Sequence, residues 1–247
     1  MDHLQAASGL VDRTFLSTAV TEGGAPRPMP AGSGVMLRFT ADGRLVASAG
    51  CNTISGAVQL SGGQLRMPAM ATTEMACADD LMVQDQWLVS LLEARPSWQL
   101  SGPHLRVSTS QTVIELTDRR VLDPDRPLEG TRWVASALIG ANVAAASGPL
   151  PRVFLVFGQG QVTGSDGCQP LSGRLAVSGA TISFGPGPAA STCTDPDAAE
   201  LARRVRATLR GDVGCQIEAD QLTLTGTGPD GLAAGLQLTA DPAPSPP

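Results

Sequence analysis

The sequence contains no lysine and no tyrosine, and its only histidines are His3 and His104. Without lysine, Schiff-base chemistry and a lysine general base are excluded. A Ser-His-Asp arrangement would have to use His104, which stands alone in an SGPHL turn with no GxSxG elbow in the chain. Aromatic residues make up 3% of the chain, three Trp and five Phe, so any core is built mainly from Leu, Val, Ile, Met and Ala. The 17 basic residues are all arginine, they form no long run, and the net charge is −6. That balance argues against a nucleic-acid partner, which needs clustered cations. No run of 18 apolar residues is present to span a bilayer. The opening MDHLQAASGLVDRTF has neither the charged nor the apolar region of a signal peptide. A cytoplasmic protein and a mature exported domain both remain open at this point.

Metal and cofactor signatures are equally sparse. There is no CxxC pair, no EF-hand spacing and no GxGxxG between a strand and a helix. The pairs Asp79/Asp80, Asp123/Asp125 and Asp195/Asp197 fall where helices begin or where a linker is expected, and capping and turn chemistry accounts for them. The glycine-rich FGPGP and GTGPDG pieces read as turns. No metal and no cofactor is expected.

What the sequence does contain is a repeat. Residues 50–56 read GCNTISG and residues 167–173 read GCQPLSG. The likeness extends in both directions. LVDRTFL (10–16) answers LEGTRWV (128–134), placing Phe15 against Trp133, and GVMLRFTADGRLVASAGCNTISG answers RVFLVFGQGQVTGSDGCQPLSG. In that register Asp42-Gly43 meets Gln159-Gly160, and Leu37 and Phe39 lie against Phe154 and Val156. QLSGGQLRM then answers AVSGATISF around a Ser-Gly turn. A chain of 247 residues accommodates two such domains.

Each copy then reaches a second cysteine, 26 residues after the first in one copy and 25 in the other. Matching pairs in two diverged copies predict the disulfides Cys51–Cys77 and Cys168–Cys193. Each would contribute roughly 3–4 kcal/mol by closing a loop of that size. The competing reading is four buried free thiols; a zinc site is disfavoured because histidine is so scarce. Disulfides place the protein outside a reducing cytosol. Cys215 is left over as a free thiol. It aligns with Trp98, in CQIEADQLTL against WQLSGPHLRV, and reads as a small apolar residue in a core slot.

Within a copy the order is strands, one helix, strands. The first helix is predicted over 79–93, capped by Asp79 or Asp80, with Trp87, Leu88, Leu91 and Leu92 as its apolar stripe. The second begins at TDPD, with Asp195 as cap and Pro196 in the first turn. Its stripe is Leu201, Val205 and Leu209, and Arg203, Arg204 and Arg206 are assigned to the wet side. Short alternating strands with tight turns predict antiparallel pairing. Each domain is therefore expected to be α+β, a curved, barrel-like antiparallel sheet packed on one helix. The expected divisions are 8–119, a Pro-containing linker at 120–127, 128–240, and a disordered Pro-rich tail at 241–247.

The order L-x-G-T-x-W, G-C-N-x-x-S-G, A-T-T-x-M-A-C, helix resembles the META domain of HslJ-like proteins and bacterial envelope lipoproteins. The first copy carries Gly50, Cys51, Asn52, Ser55 and Gly56, then Ala71, Thr72, Thr73, Met75, Ala76 and Cys77, with Phe15 in place of the motif's Trp. The second keeps Leu128, Gly130, Thr131, Trp133, Gly167, Cys168, Ser172, Gly173 and Cys193, has Gln169 for Asn, and lacks A-T-T-x-M. The resemblance implies an extracytoplasmic protein, secreted or lipid-anchored, with the membrane reached only through an anchor that this chain does not show. With histidine so scarce and lysine absent, the role expected of it is non-enzymatic, in binding, envelope maintenance or stress response, with an envelope protein, a peptide or a small ligand as partner. Asn52, Ser55, Thr72, Thr73 and Glu74 are the candidate binding surface, confined to the first copy. The alternative role for the same residues is to satisfy buried backbone groups at the bridged corner. Competing functions are an inhibitor or receptor-like module that recognises a peptide or glycan, and a hydrolase whose site has no familiar motif.

Overall fold

The computed structural model describes residues 8–140, 152–185, 193–227 and 233–241. His3 and positions 242–247 of the expected tail lie outside them. The chain divides into two compact units, 1–123 and 124–247.

Unit one runs β1 (Arg13–Glu22), β2 (Ala25–Pro26), β3 (Met36–Phe39), β4 (Arg44–Ser48), β5 (Thr53–Ala57), a 3-10 turn (Ser61–Gly63), β6 (Ala71–Thr72), α1 (Asp79–Glu93), β7 (Ser97–Ser101), β8 (His104–Ser108), β9 (Thr112–Asp118) and a one-turn helix α2 (Arg119–Leu122). Its sheet is antiparallel in the order β6-β5-β4-β3-β1-β9-β8-β7, with β2 beside β1. Single bridges, Gln59↔Arg66 and Gln64↔Ser97, link the region after β5 to β7.

Unit two runs β10 (Arg132–Gly140), β11 (Val153–Gly158), β12 (Gln161–Asp166), β13 (Pro170–Ser178), β14 (Thr181–Phe184), α3 (Pro196–Thr208), β15 (Gly211–Glu218), β16 (Gln221–Thr227) and β17 (Ala233–Ala240). Here β10 to β17 form a closed barrel. Where unit one has only bridges, unit two has the full strand β14 between β13 and β15. Both units are α+β with a curved or closed antiparallel sheet, as the alternating pattern predicts.

Each unit has its own core. Phe15, Leu37, Leu45, Ile54, Leu88, Leu92 and Leu105 are buried in the first, and Trp133, Leu155, Phe157, Val205, Leu222 and Leu236 in the second. Phe15 pairs with Leu37 as Trp133 pairs with Leu155, so the aromatic residues occupy equivalent sites. The Trp133 indole N–H donates to the Leu128 carbonyl (3.1 Å), a bond that Phe15 cannot make. The sharp bend before each aromatic residue uses left-handed backbone, φ 78° at Gly130 and φ 56° at Asp12.

The structure corrects the repeat register in one strand. Leu37 and Phe39 correspond to the buried Leu155 and Phe157, not to Phe154 and Val156. Between the equivalent pairs Phe39↔Leu45 and Phe157↔Val162 the first copy has one residue more, and a one-residue slip exchanges the two faces of a strand. Phe154 instead lies under the Arg132 guanidinium, 4.0 Å from its ring centroid. The alignment of Cys215 with Trp98 holds: Cys215 pairs with Leu224 as Trp98 pairs with Val107.

The helices also depart from expectation. Helix α1 spans Asp79–Glu93, but its N-cap is Ala78, which supplies no side-chain acceptor; Asp79 and Asp80 fall in the first turn. Helix α3 is capped by Asp195, whose carboxylate accepts from Asp197 N–H (3.0 Å), with Pro196 at the start. Arg206, assigned to solvent, is buried. Each end of the Pro-containing segment 120–127 is hydrogen-bonded within its own unit. Its start lies in α2, where Asp118 Oδ1 accepts from Arg120 N–H (2.8 Å). Its end is tied to the β15–β16 turn by Ala219 N–H to Asp125 Oδ1 and Arg126 N–H to the Ala219 carbonyl, both 2.8 Å.

Candidate functional site

The site forms where β4 gives way to β5 and the chain turns past the N-terminal half of α1. Cys51 and Cys77 are bridged, with Cα atoms 6.3 Å apart, and Cys168 and Cys193 likewise at 6.0 Å. Gly50 is required by the approach of α1, because a Cβ there would stand 2.4 Å from the Leu81 carbonyl oxygen. Gly56 is required by the returning 66–70 segment, because its Cβ would lie 2.2 Å from the Ala69 carbonyl oxygen.

Asn52 is buried, and its amide is fully used. Its Oδ1 accepts from Thr73 Oγ1 (2.9 Å) and Met75 N–H (2.8 Å), and its Nδ2 donates to the Met75 carbonyl (3.2 Å) and Asp85 Oδ2 (3.1 Å). The buried Asp85 carboxylate also accepts from Cys51 N–H (3.1 Å) and Asn52 N–H (2.8 Å). Thr73 and Thr53 exchange two bonds, Thr73 N–H to the Thr53 carbonyl and Thr53 N–H to Thr73 Oγ1, both 3.0 Å. Asn52 thus takes the backbone-satisfying role named as the alternative for it, and Thr73 shares that role while remaining exposed.

Asp85 drew no notice in the sequence. Its signal was a carboxylate in the stripe Leu81, Asp85, Leu88, Leu92, at a position where the helix faces the sheet.

The second copy holds the same corner differently. Asp166, on β12, accepts from Cys168 N–H (2.9 Å) and Gln169 N–H (2.7 Å) and pairs with Arg206 of α3 (2.5 Å), with both side chains buried. In copy one the helix supplies the carboxylate; in copy two the strand supplies it and the helix supplies the cation. Burial alone would raise the Asp166 pKa, but the two backbone N–H bonds and the guanidinium outweigh it and hold the carboxyl below its ordinary range. Asp118 is lowered in the same way: burial opposes ionisation, and Arg120 N–H and the Arg13 guanidinium (2.7 Å) overcome it.

Outside this corner lies an open groove of about 520 Å3 between α1 and segment 72–76. Asn52, Thr72, Thr73 and Glu74 meet there, and Ser55 does not; it sits along β5 opposite Ala71. The apolar wall is Met75, Ala76, Met82 and Val89, with Met75 58% and Met82 39% exposed. A second depression of about 350 Å3 shares Thr72 and Val89 with the first and adds Met67, Met70 and Leu92. The two make one trough along α1, and four of the chain's seven methionines line it.

In the second copy, the large apolar residue exposed among the described residues is Val177, on β13 and away from α3. His104 begins β8 rather than occupying a turn, with Nδ1 3.2 Å from Thr117 Oγ1 and outside the trough. Cys215 is a half-buried free thiol packed against the core, and burial pushes its pKa up, which leaves it a weak nucleophile. Among the described residues, no three His, Cys, Asp or Glu side chains gather to hold a metal, and no helix is long and apolar enough to cross a membrane.

The META domain family matches this chain twice, at residues 8–120 and 126–238. The chain belongs to the META domain family. Solved structures with similar folds include an NMR structure of a protein from Burkholderia xenovorans, 20% identical, covering 46% of this chain and 86% of that one with a TM-score of 0.40. A crystal structure of a DUF4847 family protein from Bacteroides vulgatus is 15% identical and covers 45% of this chain and 96% of that one, at a TM-score of 0.35. No curated protein matches the chain. The family match accounts for the doubled Gly-Cys phrase: each META copy uses it to bridge the corner in front of its helix. The two disulfides fit an oxidising, extracytoplasmic setting.

Proposed function

We propose that this tandem META protein is a non-enzymatic binding protein of the cell envelope, secreted or lipid-anchored, with a role in envelope maintenance or stress response. It acts through the trough beside α1 in its first META copy. The observation that carries this reading is the pair of exposed methionines, Met75 and Met82, set in a groove whose floor is cross-linked and fully hydrogen-bonded. Exposed apolar patches on a soluble domain mark interaction sites, and methionine adapts its shape to what it meets. A non-enzymatic role is supported by the lining: neither depression contains a histidine or a cysteine, and the Asp85 carboxylate is committed to three N–H donors. Asn52 supports this surface from beneath, while Thr72, Glu74, Met75 and Met82 present it.

The test is site-specific photo-crosslinking in the cells that make the protein. A photoreactive residue at Gln86, on the groove wall, should give discrete adducts, and the same residue at the exposed Gln216 of copy two should give none. Equal labelling from both positions, or none from Gln86, would refute the groove as the working surface.

A further inference from the structure

The trough is bounded by an unpaired strand edge. Among the described residues, strand β6 is the last strand on its side of the sheet and pairs only with β5, through Ile54↔Thr72 and Ser55↔Ala71. Thr73 N–H bonds back to the Thr53 carbonyl. Antiparallel alternation therefore turns the N–H and C=O of Thr72 away from β5, and Thr72 lines both depressions. Natural proteins usually blunt such an edge with charge, proline or a covering element. Here the edge at Ala71–Thr72 is exposed and opens directly onto an apolar trough. The ends of the trough differ in charge. Glu74 stands at one end, and Arg66 and Arg95 outnumber Glu93 at the other. Among the described residues, Glu74, Arg66 and Arg95 form no ion pair.

We infer that the trough binds an extended peptide segment of a partner protein, which adds as a strand to β6. Its alternate side chains are apolar and enter the methionine-lined wall; a basic residue meets Glu74 and an acidic residue meets Arg66 and Arg95. The inference rests on the binding role proposed above and specifies its ligand. Backbone bonds to Thr72 would supply affinity without sequence preference, and alternate side chains would supply the choice, as in other strand-addition complexes. A second copy of the chain is a poor occupant, because its own free edge offers Ala71 and Thr72, neither large enough to fill the wall. Methionine walls re-pack around different apolar side chains, so one trough would accept a class of sequences defined by their pattern.

The experiment is selection of displayed peptides on the full-length oxidised protein, followed by affinity measurement on synthetic peptides. The expected result is a set in which apolar residues alternate and basic and acidic residues lie at opposite ends. N-methylation of the peptide amide that faces Thr72 should weaken binding at least tenfold, and methylation of a neighbouring amide should not. The E74R variant should lose at least tenfold for peptides with the basic residue and recover when that residue is made acidic. The N-methyl comparison leaves the protein unaltered, so a folding defect cannot imitate it. Failure to select any peptide, selected peptides that tolerate N-methylation at every amide, or a dimer that masks the trough would overturn the strand assignment. Failure here alongside discrete adducts from Gln86 would leave the binding reading standing with a different ligand. Failure of both would remove the binding reading as well.

Discussion

Asp85 and Asp166 carry the corner in their respective copies, and their substitution should be costly for different reasons. D85A leaves the N–H groups of Cys51 and Asn52 and the Asn52 amide short of an acceptor. Buried donors left unmade cost about 1–3 kcal/mol each, though not additively, so a total loss of about 3 kcal/mol is expected by urea denaturation. D166A also takes the carboxylate partner from the buried Arg206 guanidinium, and breaking a buried pair costs about 3–5 kcal/mol. A loss below half a kilocalorie in either variant would show that water replaces the carboxylate without penalty. The lowered pKa values of Asp118 and Asp166 add a pH dependence. Their folded values lie below the ordinary 3.8, so their stabilisation is complete above that value. It is lost as the pH falls through the folded values. Denaturation midpoints should be level toward neutral pH and fall below about pH 4, and D166N should flatten part of that fall.

At the scale of elements, α1 is under-capped and α3 is not. Ala78 has the extended backbone of an N-cap (φ −57°, ψ 144°) and is exposed, yet its side chain accepts nothing. A78S or A78D should raise thermal stability by about 1 kcal/mol, the usual worth of a cap, while D195A should lower it by a similar amount. Equal melting temperatures for A78D and wild type would mean that the Cys51–Cys77 bridge already fixes the helix start. The bridge itself is tested by replacing both cysteines with serine. The chain-entropy model gives roughly 3–4 kcal/mol for a loop of this length, and amide exchange should rise first over residues 73–80, where the bridge holds the corner. The trough is legible in the sequence only in part. Thr72, Thr73 and Glu74 stood out as polar motif residues, but the side chains that line the trough include Met75 and Met82, which read as ordinary apolar residues. Nothing local says that a methionine on a helix face will lack a covering partner.

At the scale of the whole molecule, each copy has its own sheet, helix, disulfide and core. Residues 8–123 and 124–241 prepared separately should each show a cooperative melt; a half that melts without a transition would show that it depends on its neighbour. The two copies have also diverged in a directed way. The methionines and the A-T-T-x-M segment belong to copy one by sequence, and among the described residues the free β6 edge is seen there. Copy two carries the closed barrel and a charged helix face with Arg203 and Arg204 paired to Glu200. The proposed binding role is accordingly placed in the first copy.

The repeated Gly-Cys phrase, the second cysteine at a matching distance and the two-residue periodicity determine the doubled α+β fold and its cross-links, because each is a local signal that survives without knowledge of packing. Tertiary structure decided the rest. It chose which carboxylate serves each corner, since Asp85 and Asp166 lie far apart in the repeat alignment and meet the same backbone only when helix packs on sheet. It moved Arg206 inward, because Asp166 waits beneath α3 to pair with it. It set the β3 register against β11, where one extra turn residue reverses the faces. And it left the methionine wall of the trough open, because an apolar side chain is a core residue or a binding surface according to whether another element arrives to cover it.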